Sequence, residues 1–437
     1  MPSTVAPRYL SRFRCLEGAC EDTCCDHPSW TLSKDDYARL KIVLGVSTAA
    51  QGTEHADGER NLRLDKKGRC FFLRQDRLCG VQVAYGEAAL PKRCSEYPRR
   101  VLSIGAHHQM AGTMSCPEVA RLCLSEEWEL QQPEGDPAPS SAGALPDVAP
   151  YRRHFEQVRN AFLRILGQRE RSIEARLEAL VSVAEQVSDY FHEQVLDAEP
   201  FVLADRLESD FGAAFMPRTR RVAGLDDVMA LRVGAFFLDD YEIDRSTRLG
   251  QLVERIRSKY ERTAAASVPG ELEDGEALAA PGVIDRLGDT KEMRRDARGL
   301  LRLYRSRRAS IRLGHPRAVE RYFTNYCLNY VMVEPYFAWP DLKAYARDLA
   351  LTVAALRFLL FSHPGVCVPW EGASDGPEAR DVEGDAWSTA ALERAAVETF
   401  QALCRSAEQT ALLEKLRRAT GIDDTPGAIG LLGLVSA

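Results

Sequence analysis

The chain has 437 residues, 45% hydrophobic and 28% charged, the proportions of a globular protein rather than a disordered or fibrous one. A net charge of −7 gives no bias toward nucleic acid or an anionic membrane surface. The segment from Met1 lacks the apolar stretch of a secretory leader, and the most apolar run, 349–361, is too short to cross a bilayer and contains Arg357. These features predict a cytoplasmic, reduced protein with no nucleic-acid or membrane partner.

Residues 1–130 carry nine of the 12 cysteines, among short apolar runs and frequent turn signals. Four thiols crowd into Cys15–Cys25, and Cys70, Cys79, Cys94 and Cys116 follow. One helix is expected from Ser33, as its cap, to Leu44, with Leu40, Val43 and Leu44 as its buried stripe. A second is expected from Cys116-Pro117-Glu118 to Trp128. The reading is an irregular cysteine-rich domain whose core is partly replaced by a metal centre.

Residues 131–150 hold five prolines and little to bury, and read as a linker. From 151 to 437 the period becomes helical, beginning with Phe155, Val158, Phe162 and Ile165. Further helices are expected across 246–263, 288–312, 317–334, 341–362 and 387–419, and an exposed loop across 265–282. The predicted fold is mainly α: an irregular metal-binding N-terminal domain followed by a multi-helix C-terminal domain.

In a reducing compartment clustered cysteines favour metal ligation over disulfides. The candidate ligands are Cys15, Cys20, Cys24, Cys25, Cys70, Cys79, Cys94 and Cys116. No Cys-x-x-Cys knuckle of the zinc-ribbon type occurs anywhere in the chain. An iron–sulfur cluster, most simply 4Fe-4S, accepts more varied spacing and stands ahead of zinc; a set of buried free thiols is the bland alternative. The radical-type spacing Cys-x3-Cys-x2-Cys fails, because after Cys20-x3-Cys24 the required position is His27. His107 and His108 read as surface residues, since the thiols already suffice.

Within 322–334, Asn325 and Asn329 share one helix face, beside a stripe of Tyr322, Tyr326 and Tyr330. Stacked amides and phenols could orient an amine, which makes Tyr326, Asn325, Asn329 and Tyr330 candidate catalytic residues. The competing reading is a core helix whose hydroxyls merely find partners. The arginine-rich run 294–308 reads first as a solvated face and second as a docking strip for an acidic partner.

The chain resembles the flagellin lysine-N-methylase family. The resemblance is carried by Phe13-x-Cys15-x4-Cys20-x3-Cys24-Cys25, Cys70-Phe71-Phe72-Leu73, Leu78-Cys79, Cys94-Ser95-x-Tyr97-Pro98-Arg99 and Ser115-Cys116-Pro117-Glu118. Thr324-Asn325-Tyr326-Cys327-Leu328-Asn329-Tyr330 adds to it, with Thr324 standing where the family often has an acidic residue. The resemblance implies transfer of a methyl group from S-adenosylmethionine to lysine side chains of a flagellin-like protein, with an iron–sulfur centre in the cysteine-rich part. A metal-chelating or electron-transfer protein with a helical scaffold is the alternative. No Gly-x-Gly-x-x-Gly fingerprint follows an expected strand, so a Rossmann-type cofactor site is not legible. Glu118, Tyr97 and Glu334 are possible acceptors for an amine proton, unranked by sequence.

Overall fold

The computed structural model describes residues 3–132, 155–194, 230–266, 304–366 and 389–420, apart from positions 27, 29, 57, 105, 106, 231, 306, 310, 313 and 410. The described chain is mostly helical, with some sheet. The linker reading of 131–150, the loop reading of 265–282 and most of the arginine-rich run fall outside these residues.

The cysteine-bearing part contains strands as well as loops. Strand β1 (Ser3–Pro7) leads into a helical turn, α1 (Tyr9–Arg12). Strand β2 (Thr31–Leu32) precedes α2 (Lys34–Leu44), α3 (Val46–Gln51), β3 (Thr53–Ala56) and β4 (Glu59–Leu62). Then come α4 (Gly80–Tyr85), α5 (Lys92–Glu96), β5 (Arg99–Ile104), β6 (His107–Gly112), α6 (Pro117–Ser125) and β7 (Leu130–Gln131). One sheet has the order β5-β6-β1-β7, with β1 parallel to β6; the other runs β2-β4-β3, all antiparallel.

Helix α2 starts where the sequence places it, and for the expected reason. Ser33 Oγ accepts from the Asp36 amide at 3.0 Å while the Asp36 carboxylate accepts from the Ser33 amide at 3.1 Å, a reciprocal cap. Helix α6 begins at Pro117, directly after Cys116, but stops at Ser125 rather than Trp128.

The helical part comprises α7 (Phe155–Leu166), α8 (Ile173–Gln194), α9 (Arg248–Ala266), α10 (Pro316–Val333), α11 (Leu342–Ser362), α12 (Thr389–Gln409) and α13 (Leu412–Thr420). The single helix expected over 387–419 is thus two, parted just after Gln409. Helix α11 is buried along nearly its whole length, and so must pair its charges internally. Asp348 accepts from the Trp339 indole at 2.6 Å and from Arg417 at 2.6 Å, and Arg357 lies 3.2 Å from Glu174.

Two hydrophobic cores organise these elements. The larger joins Tyr9, Leu10, Phe13, Cys116, Val119 and Leu124 to the helices from α7 onward. The smaller gathers Leu32, Leu40, Leu62, Cys70 and Val81, with Cys25, Cys79 and Cys94 packed against it. At roughly 1.5–3 kcal/mol for each fully buried large apolar side chain, the first core dominates. The thiols sit where the two meet.

Candidate functional site

The loop carrying Cys15, Cys20, Cys24 and Cys25 is pinned from both sides. From α12, Arg405 donates to the carbonyls of Thr23 (2.9 Å) and Asp22 (3.4 Å), and also to that of Asp26. Gln401 Nε2 bridges the Asp22 carboxylate (2.5 Å) and the Ser115 carbonyl (3.0 Å). From the small core, the Cys70 amide donates to the Cys25 carbonyl at 2.9 Å, and Arg77 donates to the Cys20 carbonyl at 2.6 Å. A backbone bridge between Leu73 and Cys79 folds the next thiol inward.

These restraints assemble thiols that lie far apart in sequence. The Cys25 thiol hydrogen-bonds both Cys24 and Cys79. Cys94 lies within electrostatic reach of Cys24, Cys70 and Cys79; Cys15 reaches Cys24, and Cys116 reaches Cys20 and Cys24. All eight cysteines proposed as ligands therefore belong to one neighbourhood. Cys123, Cys327 and Cys404 are further free thiols, each desolvated and pushed up by burial.

The protons within the group are unevenly shared. The hydrogen bond from Cys25 brings Cys79 down to about 6 against the cost of burial, helped by the amides of Gln82 and Val81 at the start of α4. The same thiol lowers Cys24, with Arg405 assisting. Cys25 itself is pushed up by its two sulfur partners, and burial lifts Cys70 to about 11 and Cys116 to about 12. Soft, desolvated sulfur donors of this number suit a thiophilic metal or an iron–sulfur cluster. Cys24, Cys25, Cys70, Cys79 and Cys94 are the residues that would hold it. As they stand, no three His, Cys, Asp or Glu donors among the described residues converge to close around a single metal ion.

Cys24 also lines a cavity of about 220 Å³, together with Trp30, Arg93, Tyr97, Arg100, Ser115, Arg405 and Glu408. The rings of Trp30 and Tyr97 lie 5.5 Å apart at 47°, and the Tyr97 hydroxyl is 3.2 Å from Ser115 Oγ. Desolvation and the neighbouring Cys116 hold the Tyr97 phenol well above its usual range, so at neutral pH it is a donor rather than a base. Glu408 accepts from the Thr113 hydroxyl and lies 3.7 Å from Arg100. Behind it, burial pushes the half-buried Glu334 carboxyl up; Arg100 opposes this and Glu408 adds to it. Glu118, the other acceptor read from sequence, is occupied by Arg121.

A second cavity, of about 270 Å³, opens between α8, α10 and α11. Its carboxylates are engaged: Glu174 lies 3.4 Å from Arg312 and 3.2 Å from Arg357, and Glu320 pairs with Arg176.

The four candidate residues on α10 line neither cavity. Asn325 Nδ2 donates to the carbonyls of Cys123 (2.7 Å) and Glu126 (2.6 Å). Asn329 Nδ2 donates to the Gly112 carbonyl at 2.9 Å, and its Oδ1 accepts from the Tyr9 hydroxyl at 2.6 Å. The rings of Tyr326 and Tyr330 lie 6.2 Å apart, tilted at 47°, inside the larger core. Asn325 Oδ1 and the hydroxyls of Tyr322 and Tyr330 are buried without a hydrogen-bond partner among the described residues. Of the arginine run, Arg307 is buried with its guanidinium 5.0 Å over the Tyr260 ring, while Arg294, Arg295, Arg298 and Arg302 lie outside the described residues. His108 pairs with Thr4 within the sheet.

The sequence reading missed Gln401, Arg405 and Glu408. Their spacing of four and three puts them on one face of α12, which also carries the buried Phe400 and Leu403. Polar residues repeating on a largely apolar helix were the available signal.

Over part of its length the chain is similar to proteins from Salmonella. It is 29% identical over 154 residues to proteins named Lysine-N-methylase from Salmonella typhimurium and from Salmonella choleraesuis, a match covering 29% of this chain and 35% of each relative. It is also 29% identical over 140 residues to the flagellar biosynthetic protein FliU of Salmonella muenchen, covering 28% of this chain and 76% of that one. The chain thus spans about a third of the length of the lysine-N-methylases it matches. No family model and no solved structure matches it.

Proposed function

We propose that the chain methylates lysine ε-amines of a flagellin-like protein, with S-adenosylmethionine as methyl donor and an iron–sulfur centre held by its cysteines. The relatives' names point to lysine as acceptor and to flagella as context. The carrying observation is the position of Cys24, shared between the thiol neighbourhood and a cavity that also holds Glu408 and two aromatic rings.

The acceptor must be a neutral amine, yet free lysine has a pKa near about 10.4. In this reading the amine approaches the mouth of the cavity beside Glu408, and its removal from water there favours the uncharged form. Its nitrogen lone pair attacks the methyl carbon; the N–C bond forms as the C–S bond breaks, and the electron pair stays on sulfur as S-adenosylhomocysteine. The surplus proton passes to Glu408, with Arg100 beside it and the raised Glu334 carboxyl behind. Tyr97, held protonated, orients rather than deprotonates. A cluster bound by the thiols would cross-link the loops that carry them.

Mass spectrometry of a flagellin-like protein incubated with S-adenosylmethionine and the metal-loaded enzyme should show methyl increments on lysine. Glu408→Gln should lower turnover by about 10²–10⁴-fold while leaving the melting temperature near that of the parent. Folded, metal-loaded protein that adds no methyl group would sink the reading.

A further inference from the structure

We infer that the cavity beside Cys24 takes the amino-acid end of S-adenosylmethionine, with Arg93 as the anchor for its carboxylate; this rests on the methylation reading above. The charges around the cavity leave one guanidinium for a ligand. Arg405 is spent on Asp22, 3.5 Å away, and on three backbone carbonyls. Arg100 and Glu408, 3.7 Å apart, offset one another. The Arg93 side chain reaches the cavity wall with no hydrogen bond or ion pair of its guanidinium among the described residues. The guanidinium left over presents a planar fork of N–H donors, which fits a carboxylate.

The aromatic pair supplies the second match. Trp30 and Tyr97 present ring surface within the same cavity, and a sulfonium is drawn to such faces as a quaternary ammonium is. Size decides which end of the donor enters. A volume of about 220 Å³ falls short of the roughly 300–1,000 Å³ typical of whole small-molecule sites. It suits the amino-acid arm and not the complete nucleoside. Arg93 is exposed and otherwise unengaged, so replacing it removes an anchor without removing a structural contact.

The test is calorimetric binding of two ligands to the metal-loaded protein. S-adenosylhomocysteine keeps the carboxylate, whereas 5′-methylthioadenosine lacks the amino-acid group. Arg93→Gln should weaken S-adenosylhomocysteine by about tenfold, the loss of one charge-assisted contact, and leave 5′-methylthioadenosine unchanged. Arg93→Lys should recover part of the loss. Trp30→Leu should weaken S-adenosylmethionine more than the uncharged thioether. Unchanged S-adenosylhomocysteine affinity in Arg93→Gln, or an equal loss for both ligands, overturns the anchor while leaving the methylation reading standing. A parent protein that binds neither S-adenosylmethionine nor its product overturns both.

Discussion

The Tyr9 hydroxyl donates a 2.6 Å hydrogen bond to Oδ1 of Asn329, across 320 positions of sequence. Asn329 returns its amide to the Gly112 carbonyl at 2.9 Å, and the Gly112 amide donates to Tyr9 Oη at 3.0 Å. This closed circuit fastens α10 to β6 and to the first helical turn. Asn329→Ala would remove both short contacts and leave the Tyr9 hydroxyl only the Gly112 carbonyl, 3.4 Å away, as acceptor, at a cost of about 1–3 kcal/mol. Urea denaturation should show that loss, with residual activity following the folded fraction. Full stability with abolished turnover would instead give Asn329 a direct part in the chemistry.

Local signals were legible where a single short-range interaction decides the structure. The Ser33–Asp36 cap and the Pro117 helix start are of this kind, as is the helical period of α10 and α11. Strands β2 and β7 were not, because they have two residues each and no alternation to read. Cysteine spacing pointed to one neighbourhood of thiols, but the cavity beside it depends on Arg405 and Glu408, which only tertiary packing brings to Cys24. Asn325 and Asn329 stood out by spacing alone. That spacing serves backbone carbonyls equally well, a choice sequence does not make.

The thiols should not contribute equally to metal retention. Anaerobically purified protein is expected to contain iron and acid-labile sulfide. Cys25→Ala and Cys79→Ala should lose most of both, since Cys25 touches two other thiols and Cys79 is the one drawn down to about 6. Cys123→Ala, a desolvated thiol hydrogen-bonding the Asn325 carbonyl at 3.8 Å, should keep its iron. Folded protein carrying only zinc would exclude the cluster.

Acid should weaken one identified contact in the helical part. Burial works against ionised Glu398, but the hydrogen bond and charge of His363, with Arg255 and Arg248, outweigh it and bring the carboxyl to about 2 from its usual 4.5. Because the folded value lies below the unfolded one, the stabilisation is complete above about pH 4.5 and is lost as pH falls toward 2. The stability gap between the parent and Glu398→Gln should be roughly 2–3 kcal/mol at about pH 5 and less than half that at about pH 3. A gap that does not change with pH would show that packing, not charge, is what the substitution removes.

The last prediction separates two routes to methyl-lysine. A polar displacement needs only the methyl donor and the protein acceptor, and yields S-adenosylhomocysteine in step with methyl-lysine. A reductive route needs an external electron and releases methionine with 5′-deoxyadenosine. Neutral amine nitrogen is already a nucleophile, so the acceptor makes no demand for a radical. In the proposed reading the cavity would supply what displacement requires: Glu408 as acceptor for the amine proton, the rings of Trp30 and Tyr97 for a sulfonium, and the Arg93 guanidinium for a carboxylate. After Cys20 and Cys24 the next thiol is Cys25, which turns toward Cys79 and the smaller core rather than completing the Cys-x3-Cys-x2-Cys spacing. Turnover should therefore proceed equally with and without dithionite, provided the metal is retained, and S-adenosylhomocysteine should match methyl-lysine one for one. Strict dependence on reductant, with 5′-deoxyadenosine rising alongside methylated product, would make the thiol centre a redox catalyst and leave Glu408 without its part as base.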